Sequence, residues 1–231
     1  MTETIQFGKT QIDFRLEFSK RKSLGISVTP ELKVLVKAPI DSSLEKIKDK
    51  IRKKAPWIIK QQSFFLSFHP KTPARKFVGG ESHLYLGRQY RLKILHSKSE
   101  SVKLKGQFIE VETSDKFKVR QLVNDWYLKN AKIKFHIIAK PLIDKFTKHK
   151  VEPSSIVLRE MATRWGSCTP KGKIILNPEL IKAPRGCIEY VIIHELCHLI
   201  HHDHTQKFID LQTKEMKDWE KWKMKLEKLL A

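Results

Sequence analysis

The pentad His194-Glu195-Leu196-Cys197-His198 constrains this chain more than any other feature. Two histidines four residues apart share a face only if the segment is helical. They then stand about 6 Å apart along the axis, so both imidazoles can reach one tetrahedral ion. Glu195 lies about 100° round such a helix from His194, able to approach the ion's open position without ligating it. Five of the ten histidines fall between His194 and His204. Ile188 and the run from Tyr190 to Ile193 make the helix apolar, where an unpaired histidine is costly to bury. A pair of hydrogen-bonded core histidines is the structural alternative, and the downstream histidine cluster argues against it.

A catalytic zinc needs a third protein ligand and an open position for water. His201 lies on nearly the same stripe as His194 but about 4.5 Å beyond His198, so in a straight helix it overshoots the ion. His202 points well round the helix. His204 sits between Asp203 and Thr205, and Thr205 can cap a following helix, so a turn there returns His204 to the metal. Glu215 and Glu220 are the downstream alternatives to it. His201 and His202 are then expected at the surface or supporting the ligands, and Cys197 as a small packing residue. A metal so held lowers the pKa of its water to about 7, and Glu195 is expected to act as general base. Arg164 and Tyr190 are the candidates for contacts to substrate or transition state.

Composition bounds the rest. The chain has 231 residues, 40% of them hydrophobic, which suits a folded rather than a disordered protein. No run approaches the ~18 apolar residues of a membrane span, so no membrane partner is expected. Met1 to Thr10 lack the pattern of a secretory signal. Cys168, Cys187 and Cys197 form no Cys-x-x-Cys array, which argues for a reducing, cytoplasmic setting and against a disulfide scaffold. The net charge of +21 admits a nucleic acid or another anionic partner, and is equally consistent with a solvated lysine-rich surface.

Periodicity gives an α+β chain without an evident internal repeat. Ile12, Phe14, Leu16 and Phe18 alternate with polar residues as in a half-buried strand. Gly25 to Thr29 and Leu32 to Val36 suggest a hairpin around Pro30-Glu31. Helices are expected at about 42–67, with Ser42 and Glu45 spaced as a capping box and a second helix starting at Pro56. A connector over His69 to Gly80 precedes short strands within 84–111. From Asp115 the pattern is helical, broken or kinked near Pro141. A strand at Ser155 to Arg159, then a hairpin from Thr163 to Cys168 and Lys173 to Leu176, lead to helices at about 186–201 and 205–230. The expected division is a β-rich region with those helices over 1–113 and a helix-dominated domain with a short antiparallel sheet over 114–231.

Arg164-Trp165-Gly166-Ser167-Cys168, Ile174-Ile175-Leu176-Asn177-Pro178, and the segment from His194 to Asp203-His204-Thr205 together resemble the YgjP-like metallopeptidase family, which is related to the SprT and Spartan zinc proteases. Ala55-Pro56-Trp57-Ile58-Ile59 and Tyr85-Leu86-Gly87-Arg88-Gln89-Tyr90 add to the likeness. The resemblance implies a zincin-like catalytic domain with His194, His198 and His204 as zinc ligands and Glu195 catalytic. It also implies that the strand near Ile174 to Leu176 edges the cleft, where an extended peptide adds as a strand. The expected activity is zinc-dependent hydrolysis of peptide bonds in a protein or peptide substrate. Two alternatives stand beside it: a basic, DNA-associated protein whose protease domain acts on DNA-bound proteins, and a zinc hydrolase of non-peptide amides.

Overall fold

Alternating apolar residues build the first sheet of the computed structural model, which describes residues 2–8, 10–29, 32–66, 75–161 and 164–230. Strands β1 (Thr2–Phe7), β2 (Thr10–Ser19), β3 (Gly25–Val28) and β4 (Val34–Pro39) lie in the order β1-β2-β4-β3. The central pair β2–β4 is parallel and the outer pairs are antiparallel. The expected hairpin joins β3 to β4, with Pro30-Glu31 outside the described residues. Phe14 and Leu16 are buried on one face, while Asp13, Arg15 and Glu17 between and beside them are exposed. Helix α1 (Leu44–Leu66) covers the apolar face with Ile47, Ile51, Ala55 and Ile58.

Pro56 does not begin a second helix, because α1 runs through it. The buried positions keep helical spacing across the proline. Pro56 itself lies on the exposed side, where water can serve the carbonyl it leaves without a donor. Pro141 is tolerated in the same way, exposed within a helix of 28 residues, α2 (Val119–Phe146).

Before α2 comes a second sheet of β5 (Ser82–Tyr85), β6 (Arg88–His96), β7 (Ser101–Lys105) and β8 (Phe108–Thr113), ordered β5-β6-β8-β7. Its central pair is again parallel and its outer pairs antiparallel. The chain therefore repeats a topology of four strands and a helix that no sequence repeat announces.

A third sheet holds β9 (Ser155–Leu158), β10 (Gly166–Cys168) and β11 (Lys173–Leu176) in the order β10-β11-β9. Its hairpin is antiparallel as expected, but β9 runs parallel to β11, so the sheet is mixed. Just past the end of β11, the Asn177 amide donates to the carbonyls of Met161 (2.9 Å) and Arg164 (3.1 Å). Three helices follow: α3 (Arg185–Cys197), α4 (Gln206–Glu215) and α5 (Trp219–Leu230). The single helix expected over 205–230 breaks at Met216, which is extended (φ −148°, ψ 93°). No glycine or proline marks that break. Lys145 instead takes up the Glu215 carbonyl at 2.8 Å.

The chain divides into two compact units after residue 73, not near residue 113. The second sheet belongs with the C-terminal helices because they share a core: Leu92, Ile109 and Val111 pack in one cluster with Val123, Ile188 and Leu196. Backbone bonds reinforce this, from Leu86 and Gly87 amides to the carbonyls of Ile181 (2.8 Å) and Lys182 (3.0 Å). Gly87, at φ +80°, also leaves no room for a side chain, since a Cβ would come within 2.6 Å of Pro184. Among the described residues no helix is long and apolar enough to cross a membrane.

Candidate metal centre

The apolar run in α3 fixes the site by burying its own face. Ile188, Ile192 and Leu196 are fully enclosed, which turns His194 and Glu195 toward a cleft. The helix ends at Cys197, with His198 as its cap, so His201 is not on the helix. The chain instead turns back, and the ligand nitrogens of His194, His198 and His204 all lie within 4.8 Å of one another. The His194 and His204 Nε2 atoms approach to 3.1 Å. This arrangement suits a metal ion: three imidazoles offer nitrogen donors to one point, and other contacts fix their orientation.

Those other contacts occupy the far sides of two rings. His198 Nδ1 donates to the His201 carbonyl at 3.1 Å, which leaves Nε2 with a free lone pair. His201 thus contributes its backbone and not its ring. His194 Nδ1 meets Gln212 Oε1 at 2.8 Å, with the same consequence. Burial pulls the His194 pKa down to about 4, with the Gln212 bond opposing and His198 and His204 assisting, so this ring is neutral at pH 7. Burial also lowers that of His198. Phe208 packs against all three rings, at centroid distances of 5.0, 4.6 and 4.8 Å.

Glu195 is 4% exposed, and its Oε2 has no hydrogen-bond partner among the described residues. Burial pushes its carboxyl up to about 7, while the Arg164 guanidinium pulls the other way. Gly166 on β10 makes room for it: a Cβ there would lie 2.5 Å from Glu195 Oε1 and 2.8 Å from Val191 Cγ1. The cleft, about 690 Å³, runs between α3 and the segment from Arg164 to Pro170. Its wall is therefore the edge strand β10, whereas β11, expected there, is the central strand of its sheet. Arg164 and Tyr190 both line this cleft, as does His202. The Tyr190 ring lies against His194 and stacks on Trp219 at 6.2 Å.

The downstream carboxylates take no part in the cluster. Glu215 is bound by Lys145, Lys148 and His149, and Glu220 is exposed. Gln212, Phe208 and Gly166 were not singled out from the sequence for the roles these contacts give them. The available signal was a glutamine four residues after Phe208, on the face of α4 that had to be buried.

No curated protein and no solved structure matches this chain. The profile of the YgjP-like metallopeptidase domain does, over residues 22–229. That match runs through both compact units and takes in the histidine cluster, so the chain belongs to the YgjP-like metallopeptidase family.

Proposed function

We propose that this chain hydrolyses peptide bonds in extended segments of protein, with one zinc ion held by His194, His198 and His204 and with Glu195 as general base. The observation that carries the reading is the convergence of three imidazoles beside a buried carboxylate with an unpartnered oxygen. Membership of a metallopeptidase family implies a metal. An all-nitrogen set of three protein ligands favours zinc in a catalytic rather than a structural role. Zinc, when bound, polarises a carbonyl and makes water acidic enough to lose a proton near neutral pH. Glu195 accepts that proton at its carboxylate and returns it to the leaving amine nitrogen. Burial raises its carboxyl to about 7 in the metal-free chain, and a dication held by the three imidazoles would lower it, favouring the carboxylate that accepts the proton.

Strand β10 supports a peptide over a small amide as substrate. One of its edges pairs with β11, and its residues line the cleft, so an extended backbone can add alongside it. Arg164 and Tyr190 are the side chains available there to hold the oxyanion. Three unpaired thiols, Cys168, Cys187 and Cys197, favour a reducing compartment such as the cytoplasm.

The test joins metal analysis to proteolysis. Wild-type protein purified without chelators should carry near one zinc per chain, and His204→Ala should carry sharply less. Cleavage of an unfolded protein, followed by mass spectrometry, should track zinc content. Zinc-dependent cleavage of small amides alone would move the reading to a non-peptide hydrolase. A wild-type protein without zinc would end it.

A further inference from the structure

Helix α1 turns its apolar stripe inward and presents a second stripe to solvent. Lys46, Lys50, Lys53, Trp57 and Lys60 recur every three or four residues, so they fall within about 80° around the axis, with Lys54 beside them. All six are exposed, Trp57 at 41%. Among the described residues no carboxylate pairs with these five lysines. Lys48 and Arg52, which pair with Glu3 and Asp49, belong to other faces of the helix. The stripe runs for about 21 Å. The equivalent helix of the second repeat, α2, differs: its exposed face mixes lysines with Asp125, Asp144, and Ile133 and Ile137 at 50% and 56% exposure.

The character of the stripe selects its partner. A membrane surface rewards apolar side chains that insert beside the cations. Among the described side chains of α1, Ile47, Ile51, Ala55 and Ile58 are at most 1% exposed and packed on the sheet, so they do not serve that purpose. A nucleic-acid strand presents a regular row of phosphates, about one per 3.4 Å of axis, and bases or sugars against which an indole can pack. Five cations without a carboxylate partner among the described residues, over about 21 Å and with one exposed indole among them, match that surface. We propose that α1 docks nucleic acid through Lys46, Lys50, Lys53, Lys54 and Lys60, with Trp57 packed against the strand. The proposal does not depend on the peptidase reading.

Fluorescence anisotropy of a labelled DNA duplex, and of one of its strands alone, tests it across a salt series. Neutralising five phosphates gives a slope of log K against log salt of about −4.5, or about a 500-fold loss between 50 and 200 mM. Changing the five lysines to glutamine should bring the duplex slope about 4.5 units closer to zero, with circular dichroism and peptide cleavage unchanged. A charge-matched control, Lys98, Lys103, Lys129, Lys132 and Lys140 to glutamine, should keep nearly the wild-type slope. Trp57→Ala should weaken binding by about fivefold or more at unchanged slope, and the larger loss on the single strand marks stacking on bases. Equal loss in the two five-lysine variants would reduce the effect to general charge and overturn the proposal. So would negligible binding by wild type, or α1-dependent binding to phosphatidylserine vesicles in place of DNA.

Discussion

Glu195 and Glu215 expose almost equally little surface, 4% and 5%, yet their carboxyls are driven in opposite directions. Burial pushes Glu195 up to about 7, and only the Arg164 charge works against it. Burial acts on Glu215 as well, but hydrogen bonds from His149, Lys148 and Lys145 outweigh it and hold the carboxyl down to about 2. Lys148 and His149 reach Glu215 Oε1 at 2.9 and 3.0 Å, and Lys145 reaches Oε2 at 3.2 Å. Glu215 sits among half-exposed lysines and is less deeply placed than Glu195, and it has three partners; both differences favour its charged form. The satisfied carboxylate ties α4 to the C-terminal end of α2 and the turn beyond it. The unsatisfied one faces a cleft beside three imidazoles, where the proposed reaction would use its unpartnered oxygen.

The comparison breaks most visibly at Glu195. Glu195→Gln should lower turnover about 10²- to 10⁴-fold, the range for losing a general base, with zinc content unchanged. Melting of the metal-free variant should match or exceed wild type, because the change removes a poorly solvated charge without removing a bond. Full turnover in this variant would remove Glu195 from the chemistry. A smaller effect is expected one contact away. Gln212→Leu deletes the acceptor for His194 Nδ1 and should weaken metal binding about 10- to 100-fold in chelator competition. Wild-type affinity there would make Gln212 a packing residue.

What could be read in the sequence depended on how local each interaction is. His194 and Glu195 lie on one helix and His198 caps it in helical conformation, so their spacing alone places them together. His204 was reachable by reasoning because only a turn intervenes. The sequence leaves Glu215 open as an alternative to His204 because its partners lie 66 to 70 residues away, at a helix end that periodicity cannot position. Strand order is similarly non-local, which is why β11 was expected at the cleft and β10 is found there. Pro56 and Pro141 look like interruptions in the sequence, yet both lie on exposed helix faces where a lost hydrogen bond costs least. The domain boundary moved from 113 to 73 for the same reason. Contacts of the second sheet with Ile181 and Lys182 span some hundred residues of sequence.

Glu215→Gln sharpens the comparison from its structural side. Three hydrogen bonds lose the charge of their acceptor, but the lysines are roughly half exposed, at 45% and 48%, so water recovers part of what they lose. The expected cost is about 2 kcal/mol, or a melting temperature lower by about 4 to 8 °C. The pH dependence fixes the cause. A carboxyl held at about 2 when folded, against 4.5 as its ordinary value, adds stability that is fully present above about pH 4.5. That contribution is lost as pH falls toward about 2, where folded and unfolded chains both hold the proton. The gap in melting temperature between wild type and Glu215→Gln should therefore close across that window in protein stripped of metal. A gap that persists at the acid end would mean that Glu215 works by shape rather than charge, and the contrast with Glu195 would lose its electrostatic basis.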